Sequence, residues 1–286
     1  MKRGAAAALL LVLGCAACGG GHEVKSHSVI GEPGRIYEVN GHQLYIQCLG
    51  AGKPNVILEA GYGADRRSWD QVEPELQRTT RVCSYDRAGL GFSSSELPEP
   101  RTIFDQLDDL DELLRDAGAD PPYVVVGHSY GGVLAWQFAR RHRDDVKGVV
   151  LLDPAHPGRR FAIEPSPENV VFDRALRDSR DLGSLNDTPL LVVSGGPAVE
   201  AEQELPPRFA EHARRVRLAL HDDYARRSSD SVHVIAWYSP HEVQTNLGQP
   251  ELVLKGIREV VLAARAGRTL KDCRALFHPP AARCRG

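Results

Sequence analysis

The sequence predicts an α/β fold, a mainly parallel sheet of eight strands with helices on both faces. Two observations lead there. Short apolar runs rich in β-branched residues recur along the chain, and stretches with helical apolar spacing separate them. Strands alternating with helices imply right-handed crossovers between parallel neighbours, which places helices on each face of the sheet. The 286 residues, 42% of them hydrophobic, suffice for one large core.

The domain is expected to open at residue 35 with a β-hairpin. Arg35–Val39 and Gln43–Leu49 alternate polar and apolar residues, and Asn40-Gly41 between them is a strong hairpin signal. Val56–Glu59, Arg81–Tyr85, Tyr123–Val126, Val149–Leu152 and Leu190–Val193 read as strands covered on both faces, with Ser231–Tyr238 as the last. Between them, Trp69, Val72 and Leu76 share one helical stripe, as do Ile103, Leu107, Leu110, Leu114 and Ala117. Behind Pro250, a first-turn proline, Leu252, Val253, Ile257, Val260, Val261 and Ala264 make another. Residues 155–187 and 197–230 break this rhythm. The first carries Pro157, Pro165 and Pro167 before a weakly amphipathic piece, Val170–Arg177; the second is long, charged and proline-interrupted. Segments of that length at the carboxyl end of a sheet read as lid elements, so the domain spanning 35–286 is expected to carry a small lid.

The amino terminus has a different character. Lys2 and Arg3 precede an apolar stretch, Gly4–Leu13, which is too short for a membrane span and suits an export signal. Val12-Leu13-Gly14-Cys15 resembles a bacterial lipobox, which implies a signal peptide over 1–14 and a lipidated Cys15. An ordinary cleaved signal is the alternative. Cys15 fits better than Cys18, because cleavage before Cys18 would put a cysteine where the motif has an aliphatic residue. Gly19-Gly20-Gly21 and the polar residues after it extend a flexible tether over 15–34. The expected location is therefore the bacterial cell envelope, with the membrane touched only through a lipid anchor.

Cys48, Cys83, Cys273 and Cys284 remain, an even number for an exported chain. A Cys273–Cys284 bridge would staple the carboxyl tail; Cys48 and Cys83 read either as a second bridge or as packed thiols. Acidic and basic residues are mixed along the chain, to a formal net charge of -3. Without a concentrated basic stripe, no nucleic-acid partner is expected. No Cys/His spacing fits zinc and no glycine-rich phosphate loop is present, so neither a metal nor a cofactor is expected. The oligomeric state is left open.

The most informative motif is Gly127-His128-Ser129-Tyr130-Gly131-Gly132, directly after the Tyr123–Val126 run and before a helical stretch, Val133–Arg143. A serine at the tip of a strand–turn–helix is lifted clear of the sheet, and small flanking residues let the two backbones approach. Ser129 is the candidate nucleophile. Other patterns accompany it: Glu59-Ala60-Gly61-Tyr62-Gly63, Tyr85-Asp86-Arg87-Ala88-Gly89-Leu90-Gly91-Phe92-Ser93, Leu151-Leu152-Asp153-Pro154 and Ser239-Pro240-His241. With these, residues 35 to about 265 resemble an α/β-hydrolase of the single-domain, small-lid kind.

The resemblance implies a serine, acid, histidine order along the chain, with the histidine on the loop after the last strand. Among eleven histidines, His241 fits that place as the base; His233 lies inside a strand, His128 is the spacer of the elbow, and His212 and His221 sit in a polar helical stretch. The resemblance also implies an oxyanion hole from the backbone N–H groups of Tyr62 and Tyr130. Ala60 departs from the histidine usual in that early loop, and Ala88 is inserted in the turn after strand Arg81–Tyr85. Asp86 and Arg87 are expected to hold that turn. The acid is the larger departure. In most of the family it follows the strand that here ends in Ser194-Gly195-Gly196, where this chain reads Pro197-Ala198-Val199. Asp153, at the end of the preceding strand, is the leading candidate, Glu200 and Glu202 are the others, and the absence of an effective acid is a further alternative. The implied activity is hydrolysis of a small, ester-like substrate through an acyl-enzyme. A non-catalytic binding protein that kept the fold is the competing reading.

Overall fold

The computed structural model describes residues 24–94, 97, 100–159, 165–197, 199 and 205–285. Cys15, Glu200 and Glu202 lie outside the described residues, as does the expected signal segment.

Among the described residues ten strands form one sheet: β1 (Ser26–Ser28), β2 (Arg35–Val39), β3 (His42–Leu49), β4 (Asn55–Glu59), β5 (Val82–Tyr85), β6 (Tyr123–His128), β7 (Val146–Leu152), β8 (Leu190–Gly195), β9 (Ser231–Ala236) and β10 (Ala282–Arg285). Their order is β1-β2-β3-β5-β4-β6-β7-β8-β9-β10. The run from β5 through β4 to β9 is parallel, and the remaining pairs are antiparallel. The β2–β3 hairpin turns at Asn40 and Gly41, whose φ values of 48° and 79° are the two left-handed positions that a type I′ turn requires.

Eight of these strands match the apolar runs; β1 and β10 are additional and correct the count. Each is short and pairs with a single neighbour, so neither shows the core-facing pattern that would reveal it. β1 also shortens the tether expected over 15–34. Ser26, His27 and Ser28 pair with Tyr37, Ile36 and Arg35, and the Arg35 guanidinium donates to the hydroxyls of Ser26 and Ser28.

Among the described residues the helices are α1 (Glu73–Leu76), α2 (Ile103–Asp116), α3 (Tyr130–Arg141), α4 (Phe172–Asp178), α5 (Pro207–Ala225), α6 (Pro250–Ala266) and α7 (Cys273–Leu276). Side chains alternate along each strand, so Ile57, Val125, Val149 and Val192 face α2, α3 and α4. Their neighbours Val56, Val124, Val150 and Val193 face α1, α6 and α7. The stripe of Trp69, Val72 and Leu76 does not form one helix. It divides into a 3-10 turn, Arg66–Trp69, and α1, where Pro74 opens a new first turn, yet all three side chains are fully buried.

Disulfides join Cys48 to Cys83, directly opposite one another on β3 and β5, and Cys273 on α7 to Cys284 on β10. The segments read as lids contribute α4 and α5. Rather than standing free, α5 packs on β8 and β9 through Arg217, Leu218, His221 and Tyr224, all buried.

Candidate active site

The site is built at the carboxyl ends of β4, β6 and β7 and in the loop after β9. Ser129 takes φ 52° and ψ −117°, a conformation unfavourable for a residue with a Cβ, between the last residue of β6 and the first of α3. Glycines make the turn possible. A Cβ on Gly127 would lie 2.2 Å from the Gly131 carbonyl oxygen, and one on Gly131 would lie 2.2 Å from that of Glu59. The Ser129 N–H donates to Leu152 O at 3.0 Å, and its carbonyl accepts from Gly132 N and Ala155 N. Its neighbours His128 and Tyr130 are buried, whereas Ser129 is partly exposed.

His241 and Asp153 meet although 88 positions separate them, with His241 Nδ1 donating to Asp153 Oδ2 at 2.7 Å. Asp153 is 2% exposed and takes a left-handed φ of 38° as the chain leaves β7. Its other oxygen, Oδ1, accepts from Gly195 N at 2.8 Å and from Arg217 Nη1 at 2.6 Å. Burial alone would raise this carboxyl. The charge of Arg217, with the hydrogen bond and charge of His241 and the charge of His221, instead carries it well below the usual carboxylate range. Burial pulls His241 down, but the bond to Asp153 and its charge lift the imidazole above its ordinary value. His241 keeps a third of its side chain exposed. Among the described residues no hydrogen bond links the Ser129 hydroxyl to His241. The contact between elbow and histidine loop is instead made by His128, whose Nε2 donates to His241 O at 3.0 Å and whose ring centroid lies 4.7 Å from that of His241. Burial, with the nearby His241, presses His128 down to about 3, so it is neutral.

The early loop is held from behind. Arg87, 4% exposed, donates to Ala60 O at 2.8 Å and Gly61 O at 2.6 Å, while its Nε pairs with Glu168 at 2.8 Å. Glu168 also accepts from Gly63 N at 2.7 Å and from Gln106. Asp86 caps the neighbouring turn by accepting from Arg66 N and Phe92 N. Tyr62 and Tyr130 lie side by side, ring centroids 5.8 Å apart, with Phe172 of α4 against both. The Tyr62 hydroxyl donates to Val170 O and accepts from Ser166 N, and the Tyr130 hydroxyl donates to Gln106. The side chains of both tyrosines are thus engaged in packing the lid segment and α2.

Of the remaining histidines, His221 and His233 share the buried hydroxyl of Ser194, each at 2.7 Å. His221 donates to Pro154 O and His233 bonds Asp222. Both are committed within the structure. Among the described residues no group of His, Cys, Asp and Glu is arranged to hold a metal ion, and no helix is long and apolar enough to cross a membrane. Arg217 and Glu168 were not distinguishable from sequence. Both lie in the segments read as lid elements, where no motif marks a side chain that turns inward.

The family model of the alpha/beta hydrolase fold matches residues 54–256. The chain belongs to that family. Among relatives of this alpha/beta hydrolase, the uncharacterized protein YqjL of Bacillus subtilis (strain 168) is 28% identical over 246 residues, covering 80% of this chain and 92% of YqjL. Epoxide hydrolase 3 of Xenopus tropicalis is 34% identical over 109 residues, covering 36% of this chain and only 28% of its own length. A thermophilic esterase from Thermogutta terrifontis superposes with a TM-score of 0.61 at 23% identity, covering 85% of this chain and 99% of the esterase, a likeness of fold.

Proposed function

We propose that the protein is a serine hydrolase of carboxylic esters or related acyl compounds, acting through an acyl-enzyme on Ser129. The observation that carries this reading is the 2.7 Å bond from His241 Nδ1 to Asp153. It fixes the tautomer, because a nitrogen that donates to a carboxylate leaves Nε2 with the lone pair. Ser129 can then give its proton to Nε2 as Oγ attacks the acyl carbon. The oxyanion is met by the N–H groups of Tyr62 and Tyr130, worth roughly 3 kcal/mol each in a dry site, and the second of these also opens α3, whose positive end favours the charge. Imidazolium His241 protonates the departing alkoxide, and a water activated by the same nitrogen releases the acid. The Ser129–His241 bond is expected to form as substrate is held, since catalytic hydrogen bonds tighten in the Michaelis complex.

Serine at the elbow supports acyl transfer over epoxide opening, for which the epoxide-hydrolase branch uses an aspartate there. The charged, proline-containing lid segments favour small or moderately polar substrates over long acyl chains. The proposal extends to location: export, with Cys15 as a lipidated amino terminus, is supported by the Lys2–Cys15 pattern and by two disulfides suited to an oxidising compartment. Lack of acyl chains on Cys15 in protein from the native cell would remove the anchor.

Labelling by a fluorophosphonate and turnover of short p-nitrophenyl esters test the activity. Wild type is expected to label and to turn over, and Ser129→Ala and His241→Ala to do neither. A folded wild type that does not label would favour a ligand-binding protein instead.

A further inference from the structure

We propose that Arg217 is a positioning residue for acyl transfer, clamping Asp153 so that it serves His241 from the end of β7. The inference rests on the serine-hydrolase reading and extends it to a helix that the family motifs do not mark. Arg217 is 4% exposed and stands on α5, in a segment read as lid. Its Nη1 donates to Asp153 Oδ1 at 2.6 Å. The guanidinium also reaches Gly195 O at 3.2 Å and Gly196 O at 3.3 Å, while Gly195 N donates back to the same Oδ1. The carboxylate is thereby tied to the end of β8, the strand after which most of the family places its acid. With Oδ1 held by two donors, only Oδ2 is left for His241, and the imidazole plane is set by that bond. A planar fork spanning carboxylate and carbonyls suits arginine and not lysine.

The clamp has an electrostatic side. Among the described residues, the titratable and charged groups facing the Asp153–His241 pair are Arg217 and His221 from α5, His128 from β6, His233 from β9 and Glu242 beside the histidine. Burial, largest for His221 as for His128, keeps both of these imidazoles neutral near pH 7. The guanidinium therefore opposes uptake of a proton by the pair, and its removal makes that uptake easier whether the proton settles on His241 or on Asp153. Activity requires the pair unprotonated at Nε2 and ionised at Asp153, so the acid limb of kcat/KM must move up when Arg217 loses its charge.

The test is ester turnover against pH by the full chain carrying Arg217→Gln or Arg217→Lys, with folding checked by circular dichroism. Arg217→Gln is expected to lower kcat on the order of tenfold to a hundredfold, as misplacement of a catalytic group does, with KM little changed and the acid limb displaced to higher pH. Arg217→Lys should lower kcat with the limb in place, because charge remains and the fork is lost. Wild-type kcat in either variant overturns the proposal, and so does an Arg217→Gln loss with an unmoved limb, which would mark a merely structural prop. Should Arg217→Gln not fold, kcat of Arg217→Lys decides. Failure of wild type itself to label or turn over any ester is the separate failure of the serine-hydrolase reading, and removes this inference with it.

Discussion

Arg87 and Glu168 meet across 81 positions of sequence as a buried ion pair, Nε to Oε2 at 2.8 Å, and between them they fix the backbone of the loop that ends β4. Arg87 holds the carbonyls of Ala60 and Gly61, and Glu168 holds the N–H of Gly63. The residue between those anchors is Tyr62, proposed to supply one oxyanion donor. Glu168→Gln removes the nearer of the two carboxylates around a buried guanidinium, leaving only Glu59 at 4.0 Å, so we expect a loss of roughly 3 kcal/mol in stability. Urea unfolding measures it. A loss below about 1 kcal/mol would show that the pair is dispensable.

At Ser129 the strained backbone reverses the usual ranking of alanine and glycine. Alanine normally stabilises relative to glycine by narrowing the unfolded ensemble, but at φ 52° and ψ −117° a Cβ is unfavourable. Ser129→Gly is expected to be more stable than Ser129→Ala by about 1 kcal/mol, both being inactive on esters. Thermal melts of the two variants decide it, and equal or inverted order would mean the elbow relaxes when the hydroxyl is removed.

Glu59 sets a pH dependence of stability. It is fully buried at the end of β4, where it accepts from the Tyr85 hydroxyl. Burial pushes its carboxyl up to about 7, against the opposing pull of Arg87 and Tyr85. A folded value above the unfolded one means that the stabilising contribution is whole below the ordinary carboxyl range and is lost as pH rises through about 7. From pH 4.5 to 8 that amounts to about 3 kcal/mol. Glu59→Gln should flatten the fall in stability over this window, measured by urea midpoints at several pH values. A slope equal to wild type would assign the dependence elsewhere.

Asp153→Asn is expected to reduce kcat by roughly 10⁴. Oδ1 is met by two donors, Gly195 N and Arg217, so the amide oxygen of an asparagine would stay there and its NH2 would face His241. Nδ1 would then have to accept, which moves the imidazole proton to Nε2 and blocks the nitrogen meant for Ser129. Unchanged turnover would return the acid to Glu200 or Glu202.

Much of the fold was legible because buried parallel strands and amphipathic helices write their packing into apolar spacing. Val124, Val125 and Val126 are apolar in succession because β6 is covered on both faces. β1 was illegible for the opposite reason: Ser26-His27-Ser28 buries little, and its pairing is made by backbone and by Arg35. At the site, glycine requirements made the elbow readable at Gly127 and Gly131. The contacts of Arg217 and Glu168 were not, because a charged side chain that turns inward to a distant carboxylate or carbonyl leaves no period in its own segment.

The carboxyl tail has a consequence for how copies of the chain behave toward each other. β10 pairs with His233–Ala236 along one side of β9, and the Cys273–Cys284 bridge, closing a separation of 11 positions, keeps it there. Once reduced, the short β10 has less to hold it, and its departure would leave Val234, Ile235 and Ala236 on a strand whose backbone donors and acceptors face water. Such an edge is a template for another molecule. Concentration-dependent light scattering that appears only after reduction would be its signature, and would make the terminal staple a guard against aggregation.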